Sequence, residues 1–128
     1  MKYLLCQIED LRYAVPVEQI DRIEEPEKGE LYSVPSWQSH LRGSSIVEGE
    51  VTFGARILLE AQPELLPLYV EEVIDLSVDY TGDVSPFPTE HIDAPAALFS
   101  GIILLDELPY IVLSVSGMAK EQNNAPKT

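Results

Sequence analysis

An internal repeat constrains this chain more than any other feature. Shifting residues 3–23 (YLLCQIEDLRYAVPVEQIDRI) forward by 53 positions lays them without a gap on 56–76 (RILLEAQPELLPLYVEEVIDL). Leu5 falls on Leu58, Val17 on Val70 and Glu18 on Glu71, while Ile20 meets Val73 and Ile23 meets Leu76. Each copy is followed by a glycine-led apolar piece, 43–48 (GSSIVE) and 101–106 (GIILLD), now 58 positions apart. Identities are few, so hydropathy carries the match. Two similar β units in tandem are the simplest source of such a pattern, and a chance match of two apolar strands is the alternative.

Strand signals recur along both copies. Tyr3–Ile8 is rich in strand formers, Glu9-Asp10 offers a turn, and Leu11–Val17 returns as the second arm of a hairpin. Pro16 places that arm at an edge or a strand end, because proline cannot donate to a ladder. Val17, Ile20 and Ile23 recur every three residues, a spacing that fits one helical turn or a twisted strand equally well. Ile46–Phe53 reads as a short hairpin turning at Glu48-Gly49. The second copy runs through Ile57–Glu60, a turn at Gln62-Pro63-Glu64, Leu65–Val70 and then Val73, Leu76 and Val78. Residues 79–97 carry Gly82, Pro86, Pro88 and Pro95 and read as a surface loop. Gly101–Leu105, a turn at Asp106-Glu107 and Tyr110–Val115 form the last hairpin, followed by a small, polar tail. The expected class is all-β, with two tandem small β-barrels packed together, because the repeat divides the strands into two equal sets. The expected division is 1–54 and 55–118 for the two barrels and 119–128 for a flexible tail.

Composition narrows the chemistry. At 128 residues and 45% apolar, the chain is large enough for one buried core. A formal charge of −14 repels nucleic acid and anionic membrane and attracts a basic protein surface. No apolar run reaches membrane-spanning length and the N-terminal one is too short for a signal segment, so a soluble, cytoplasmic protein is expected. The lone cysteine, Cys6, sits in an apolar run and reads as a small core hydrophobe. His40 and His91 stand apart from any Cys or His at ligand spacing, so no metal is expected. No glycine-rich phosphate loop exists, and no cofactor is expected. The adjacent acids Glu24-Glu25, Glu71-Glu72 and Asp106-Glu107 would point to opposite faces of a strand and do not converge as a dyad. These observations favour a non-enzymatic protein. The rival reading is a small-ligand-binding or hydrolytic β-barrel protein with Glu48, Asp106 or Glu107 lining a pocket.

The segments so placed resemble the CheW-like domain family, the adaptor fold of bacterial chemosensory arrays. Tyr3-Leu4-Leu5-Cys6 and the run from Arg12 to Ile23 (RYAVPVEQIDRI) are similar to that family's first hairpin and the turn after it. Val70-Glu71 stands where members show a valine-aspartate pair, and Phe99–Asp106 with Tyr110–Leu113 is similar to the closing glycine-led hairpin. The likeness spans roughly residues 3–118 and rests mainly on hydropathy.

What the resemblance implies is a pair of five-stranded SH3-like β-barrels packed together, the first trimmed or incomplete, that couple chemoreceptor tips to a histidine kinase, binding that kinase's regulatory domain. It implies a partner-binding groove between the barrels, lined here by Val17, Ile20, Ile23, Val73 and Leu76; for Val17 and Val73 a place in the core is the equal alternative. An acidic turn at Glu48 and Glu50 is a further candidate contact. The chain departs from the family in its middle, where an asparagine-leucine-arginine-glycine motif and a proline-valine-x-aspartate-leucine strand are usual. Aligning Gly43 with Gly101 puts Glu48 at the arginine's place; taking Leu41-Arg42-Gly43 as the motif keeps Arg42 but shortens the spacing from Pro35. Under either alignment the following strand is missing. Coupling, capping and blocking of array assembly are all compatible with such a divergent member.

Overall fold

The computed structural model describes residues 1–8, 11–25, 36–38, 41, 54–61, 64–86 and 96–124. Among these, eight strands and one helix follow in chain order: β1 (Lys2–Ile8), β2 (Leu11–Pro16), β3 (Ile20–Glu24), β4 (Ala55–Leu59), β5 (Leu66–Val70), β6 (Glu72–Asp79), β7 (Phe99–Leu105), β8 (Leu108–Leu113) and α1 (Val115–Asn124). They build a five-stranded sheet of order β6-β1-β2-β8-β7 and a three-stranded sheet of order β3-β4-β5.

The repeat is real in three dimensions. Each copy is an antiparallel hairpin followed by a third strand: β1, β2 and β3 in the first, β4, β5 and β6 in the second. The third strands are exchanged. β3 leaves its own hairpin and pairs with β4, while β6 leaves its hairpin and pairs with β1. Even the register obeys the 53-residue shift. Cys6 faces Val73 and Leu5 faces Asp75 across β1 and β6; Leu59 faces Ile20 and Leu58 faces Arg22 across β4 and β3. Both pairings skip one residue of the third strand at that point, Ile74 in one copy and Asp21 in the other. A bulge at the same place bends each third strand sharply, as a strand crossing between sheets requires.

This exchange links the two copies. Residues 1–54 and 55–118 are copies in sequence, but each sheet takes its hairpin from one copy and its outer strand from the other. The chain crosses between sheets at a 3-10 turn over Val17–Gln19, reached through Pro16, and again at Glu71. Proline removes the backbone donor that a longer β2 would use, so the first crossing is written into the sequence. At the second, Gly54 donates to the Val70 carbonyl at 3.0 Å, Glu71 donates to the Gln7 carbonyl at 3.0 Å, and a Cβ on Gly54 would overlap the Glu71 carbonyl.

Among the described residues neither sheet closes into a barrel. The five-stranded sheet comes nearest: just beyond β6, Ser85 exchanges two hydrogen bonds of 2.8 and 2.9 Å with Ile102 of β7, linking the two edges. The smaller sheet has three strands among the described residues, and residues 42–53, where the first unit's closing hairpin was expected, lie outside them.

Strand alternation assigns the two cores. Leu4, Cys6 and Ile8 of β1 face a main core with Tyr13 and Val15 of β2, Ile57 and Leu59 of β4, and Leu66, Leu68 and Val70 of β5. That core fills the space between the sheets. Tyr3, Leu5, Ala14, Ile103, Tyr110 and Val112 point the other way, into a smaller core inside the curl of the five-stranded sheet. A strand whose successive residues are all apolar is what a sheet buried on both faces demands.

The tail expected from residue 119 is helical through Asn124. Ser114 caps the helix, its Oγ accepting from the Gly117 N–H at 3.1 Å. Val115 and Met118 enter the main core, and Ala119 packs against it. That anchorage explains why a sequence with little intrinsic helix strength is ordered. Trp37, on a 3-10 turn over Ser36–Gln38, is buried in the main core and donates from Nε1 to Gln122 Oε1 at 3.0 Å. It ties the middle of the chain to the helix.

Candidate partner-binding surface

The third strands carry the expected groove residues, and the repeat gives them matching environments. Ile20 and its counterpart Val73 are half-buried against the main core, as is Val17 on the crossing turn. Ile23 and its counterpart Leu76 are exposed, at 38% and 64%. Among the described residues β3 and β6 are both edge strands, so each exposed aliphatic side chain stands on a sheet margin. The five residues therefore split: Val17, Ile20 and Val73 pack half-buried against the main core, and Ile23 and Leu76 are exposed.

Ile74 joins them. It is 39% exposed and lies two residues from Leu76 on the same strand. A lone isoleucine between acids carries no sequence signal for exposure; the bulge that skips Ile74 in the pairing with β1 turns it outward. Exposed aliphatic residues on a long edge strand, among Glu72, Asp75 and Asp79, form a margin that is both adhesive and negatively charged. Asp75 keeps part of this margin in shape by accepting the Ser77 N–H on Oδ1 at 3.2 Å.

The smaller sheet carries a row of polar contacts across its width. Glu24, Arg56 and Tyr69 are cross-strand neighbours on β3, β4 and β5. Arg56 donates from Nε to Glu24 Oε1 at 3.0 Å. Partial burial disfavours the Arg56 cation, but the bonds and charges of Glu24 and Tyr69 outweigh it and raise the guanidinium above the ordinary arginine value. Arg22 sits beside this pair, 3.0 Å from Asp21 and 3.5 Å from Glu24. At the far end the fully buried Gln38 takes the place of a strand: its Nε2 donates to the Tyr69 carbonyl at 2.7 Å and its Oε1 accepts the Tyr69 N–H at 3.1 Å. β5 is thereby covered, which leaves β3 as the open margin of this sheet among the described residues.

Other expectations place as follows. Glu48 and Glu50 lie outside the described residues, as do His40 and His91 and the choice between Arg42 and Glu48. Asp106 and Glu107 form the exposed two-residue turn between β7 and β8, both with positive φ, 50° and 67°. They border none of three surface depressions lined by Met1, Val17 and Glu18, by Asp21, Glu60 and Leu65, and by Glu60, Val115 and Ala119. Cys6 is fully buried, and burial pushes its thiol up to about 12. Among the described residues no three His, Cys, Asp or Glu side chains gather as metal ligands, and no helix is long and apolar enough to cross a membrane.

Two sheets sharing exchanged third strands, with a short C-terminal helix on the core between them, define an all-β fold of the CheW-like class. The structure is similar to the crystal structure of the scaffolding protein TtCheW from Thermoanaerobacter tengcongensis, with a TM-score of 0.63 and 16% sequence identity over 89% of this chain and 84% of that one. No protein-family model matches the sequence. No curated protein matches it either. The likeness thus lives in the fold, and the low identity marks a divergent member of that fold class.

Proposed function

We propose that this protein is a non-enzymatic adaptor of chemosensory signalling in the cytoplasm, which binds a histidine kinase's regulatory domain, a chemoreceptor tip or both. The observation that carries the reading is the shared fold with a scaffolding protein over most of both chains. Two features of the surface support it. The margins that are open among the described residues present Ile23, Ile74 and Leu76, which is the kind of aliphatic edge that β-surface recognition uses. The formal charge of −14 favours a basic partner surface and speeds its approach. Affinity comes from the aliphatic contacts, and charge sets partner choice and on-rate.

The test is a pull-down with purified kinase regulatory domain and with receptor tip, using a sample whose fold has been checked by circular dichroism. Binding of at least one is expected, weakened by Leu76→Ser and Ile23→Ser, both of which alter exposed positions. Absence of binding to either partner overturns the proposal. Charge reversal at Glu48 and Glu50 tests the acidic turn separately: unchanged binding removes that turn from the interface.

A further inference from the structure

Where β4 ends and α1 begins, two depressions run together. One, of about 290 Å³, lies against Val115 and Ala119 of the helix; the other, of about 310 Å³, lies against Asp21 and Leu65. Both are lined by Glu60 and Ala61, so they adjoin along these two residues and are treated together as one trough. Its position is fixed by backbone: the Glu60 N–H donates to the Gln19 carbonyl at 2.8 Å, tying the end of β4 to the crossing turn.

The floor is aliphatic and kept low. Ala61 and Ala119 pack half-buried on the main core, and Leu65 is 37% exposed. A larger residue at either alanine would fill the space. The rim is acidic. Asp21 already holds Arg22 at 3.0 Å, whereas Glu60 is exposed and makes no ion pair among the described residues. Glu18 and Glu64 adjoin Gln19 and Leu65 in the chain, and Lys120, beside Ala119, is the one cation next to a lining residue of the helix. An aliphatic floor under an unpaired carboxylate suits a side-chain pair of opposite character, one cationic and one aliphatic. A second copy of this chain would bring its own charge of −14 to the trough and be repelled.

We propose that this trough seats a short cationic, aliphatic segment of a partner protein, with a lysine or arginine on Glu60 and a neighbouring aliphatic side chain over Ala61, Val115 and Ala119. The trough meets the β3 margin at Asp21 but is lined by none of Ile23, Ile74 and Leu76, and it stands whether or not the partner belongs to a chemosensory array.

The experiment is an NMR titration of the full-length, ¹⁵N-labelled chain with a short amphipathic peptide of lysine and leucine. A glutamate–leucine peptide of the same pattern and a lysine–serine peptide serve as comparisons. Saturable shifts converging on Glu60, Ala61, Ser116 and Ala119 are expected for the first peptide alone. Ala119→Leu and Glu60→Lys should each weaken it at least about tenfold, a change large enough to exceed the error of a titration. Shifts scattered over the acidic surface without saturation, an unchanged affinity in Ala119→Leu, or equal binding of the glutamate–leucine peptide would each overturn the proposal. Should Ala119→Leu unfold the chain, the exposed Glu60→Lys variant decides the matter alone. Failure here leaves the kinase and receptor pull-downs untouched, so the two readings fall separately.

Discussion

Replacing Gln38 by leucine is expected to cost about 3 kcal/mol of stability, the lower half of the range that two orphaned backbone groups set. The side chain is fully buried, and both ends of its amide are bonded to the backbone of Tyr69. Leucine keeps most of the volume, so the loss comes from the bonds rather than from a cavity. Tyr69 is itself only 6% exposed, and its N–H and C=O would be left without those partners. An orphaned buried group costs roughly 1–3 kcal/mol, so two of them set the scale at about 2–6 kcal/mol, with partial relaxation of an edge strand favouring the lower half. Gln38→Glu sharpens the test. An ionised carboxylate can accept the Tyr69 N–H but cannot donate to the carbonyl, whereas the protonated acid can do both. Burial raises the folded pKa of that glutamate above its unfolded value. The variant therefore approaches wild-type stability at acid pH and loses ground as pH rises above the unfolded glutamate value of about 4.3, until the raised folded pKa is passed. Urea unfolding followed by fluorescence of Trp37, the sole tryptophan and one residue away, reads both effects. A Gln38→Leu variant within about 0.5 kcal/mol of wild type, the range of neutral surface changes, would refute the claim that Gln38 closes the margin of β5.

Gly117→Ala should destabilise the protein although alanine is the better helix former by about 1 kcal/mol, because the new methyl meets the Ala97 carbonyl and α1 must lift from the core; calorimetry checks the sign. The turn at Asp106 and Glu107 holds two non-glycine residues at positive φ, so the double substitution Asp106→Asn with Glu107→Gly should stabilise by about 1 kcal/mol and raise the thermal midpoint. Cys6 should resist a thiol reagent at pH 8 in the native state, since its pKa of about 12 and complete burial leave almost no accessible thiolate; modification should appear only at the rate of global unfolding. Rapid labelling of the folded chain would contradict that placement.

The repeat was legible because hydropathy writes strand pairs directly: Leu5 on Leu58 and Ile20 on Val73 are positions of equal burial or equal pairing. The exchange of third strands was not legible. Nothing in the 17–23 or 70–76 stretches says which hairpin a third strand will join, since both offer the same aliphatic edge. The helix over Val115–Asn124 was hidden by its composition, with glycine and asparagine diluting a spacing of Val115, Met118 and Ala119 that only packing makes decisive. Gln38 looked like one polar residue in an irregular segment; its role depends on a strand margin some thirty positions away in sequence, at Tyr69. Within the expected groove set, exposure alone separates Ile23 and Leu76 from Val17, Ile20 and Val73, and hydropathy does not encode that difference.

The exchanged strands also bear on how the chain is made. The first hairpin emerges early, yet its outer partners come late: β6 closes on β1 only after residue 72, and β8 closes on β2 only after residue 108. At roughly 5–20 residues per second of synthesis, that leaves the hairpin waiting for several seconds with both margins open. Leu4, Leu5, Tyr13 and Val15, all deeply buried in the finished protein, are uncovered for that interval. The later copy thus acts as a delayed lid for the earlier one. A chain interrupted before β8 leaves the β2 margin of that hairpin without its described partner, so its solubility as well as its shape depends on strands made long after the hairpin.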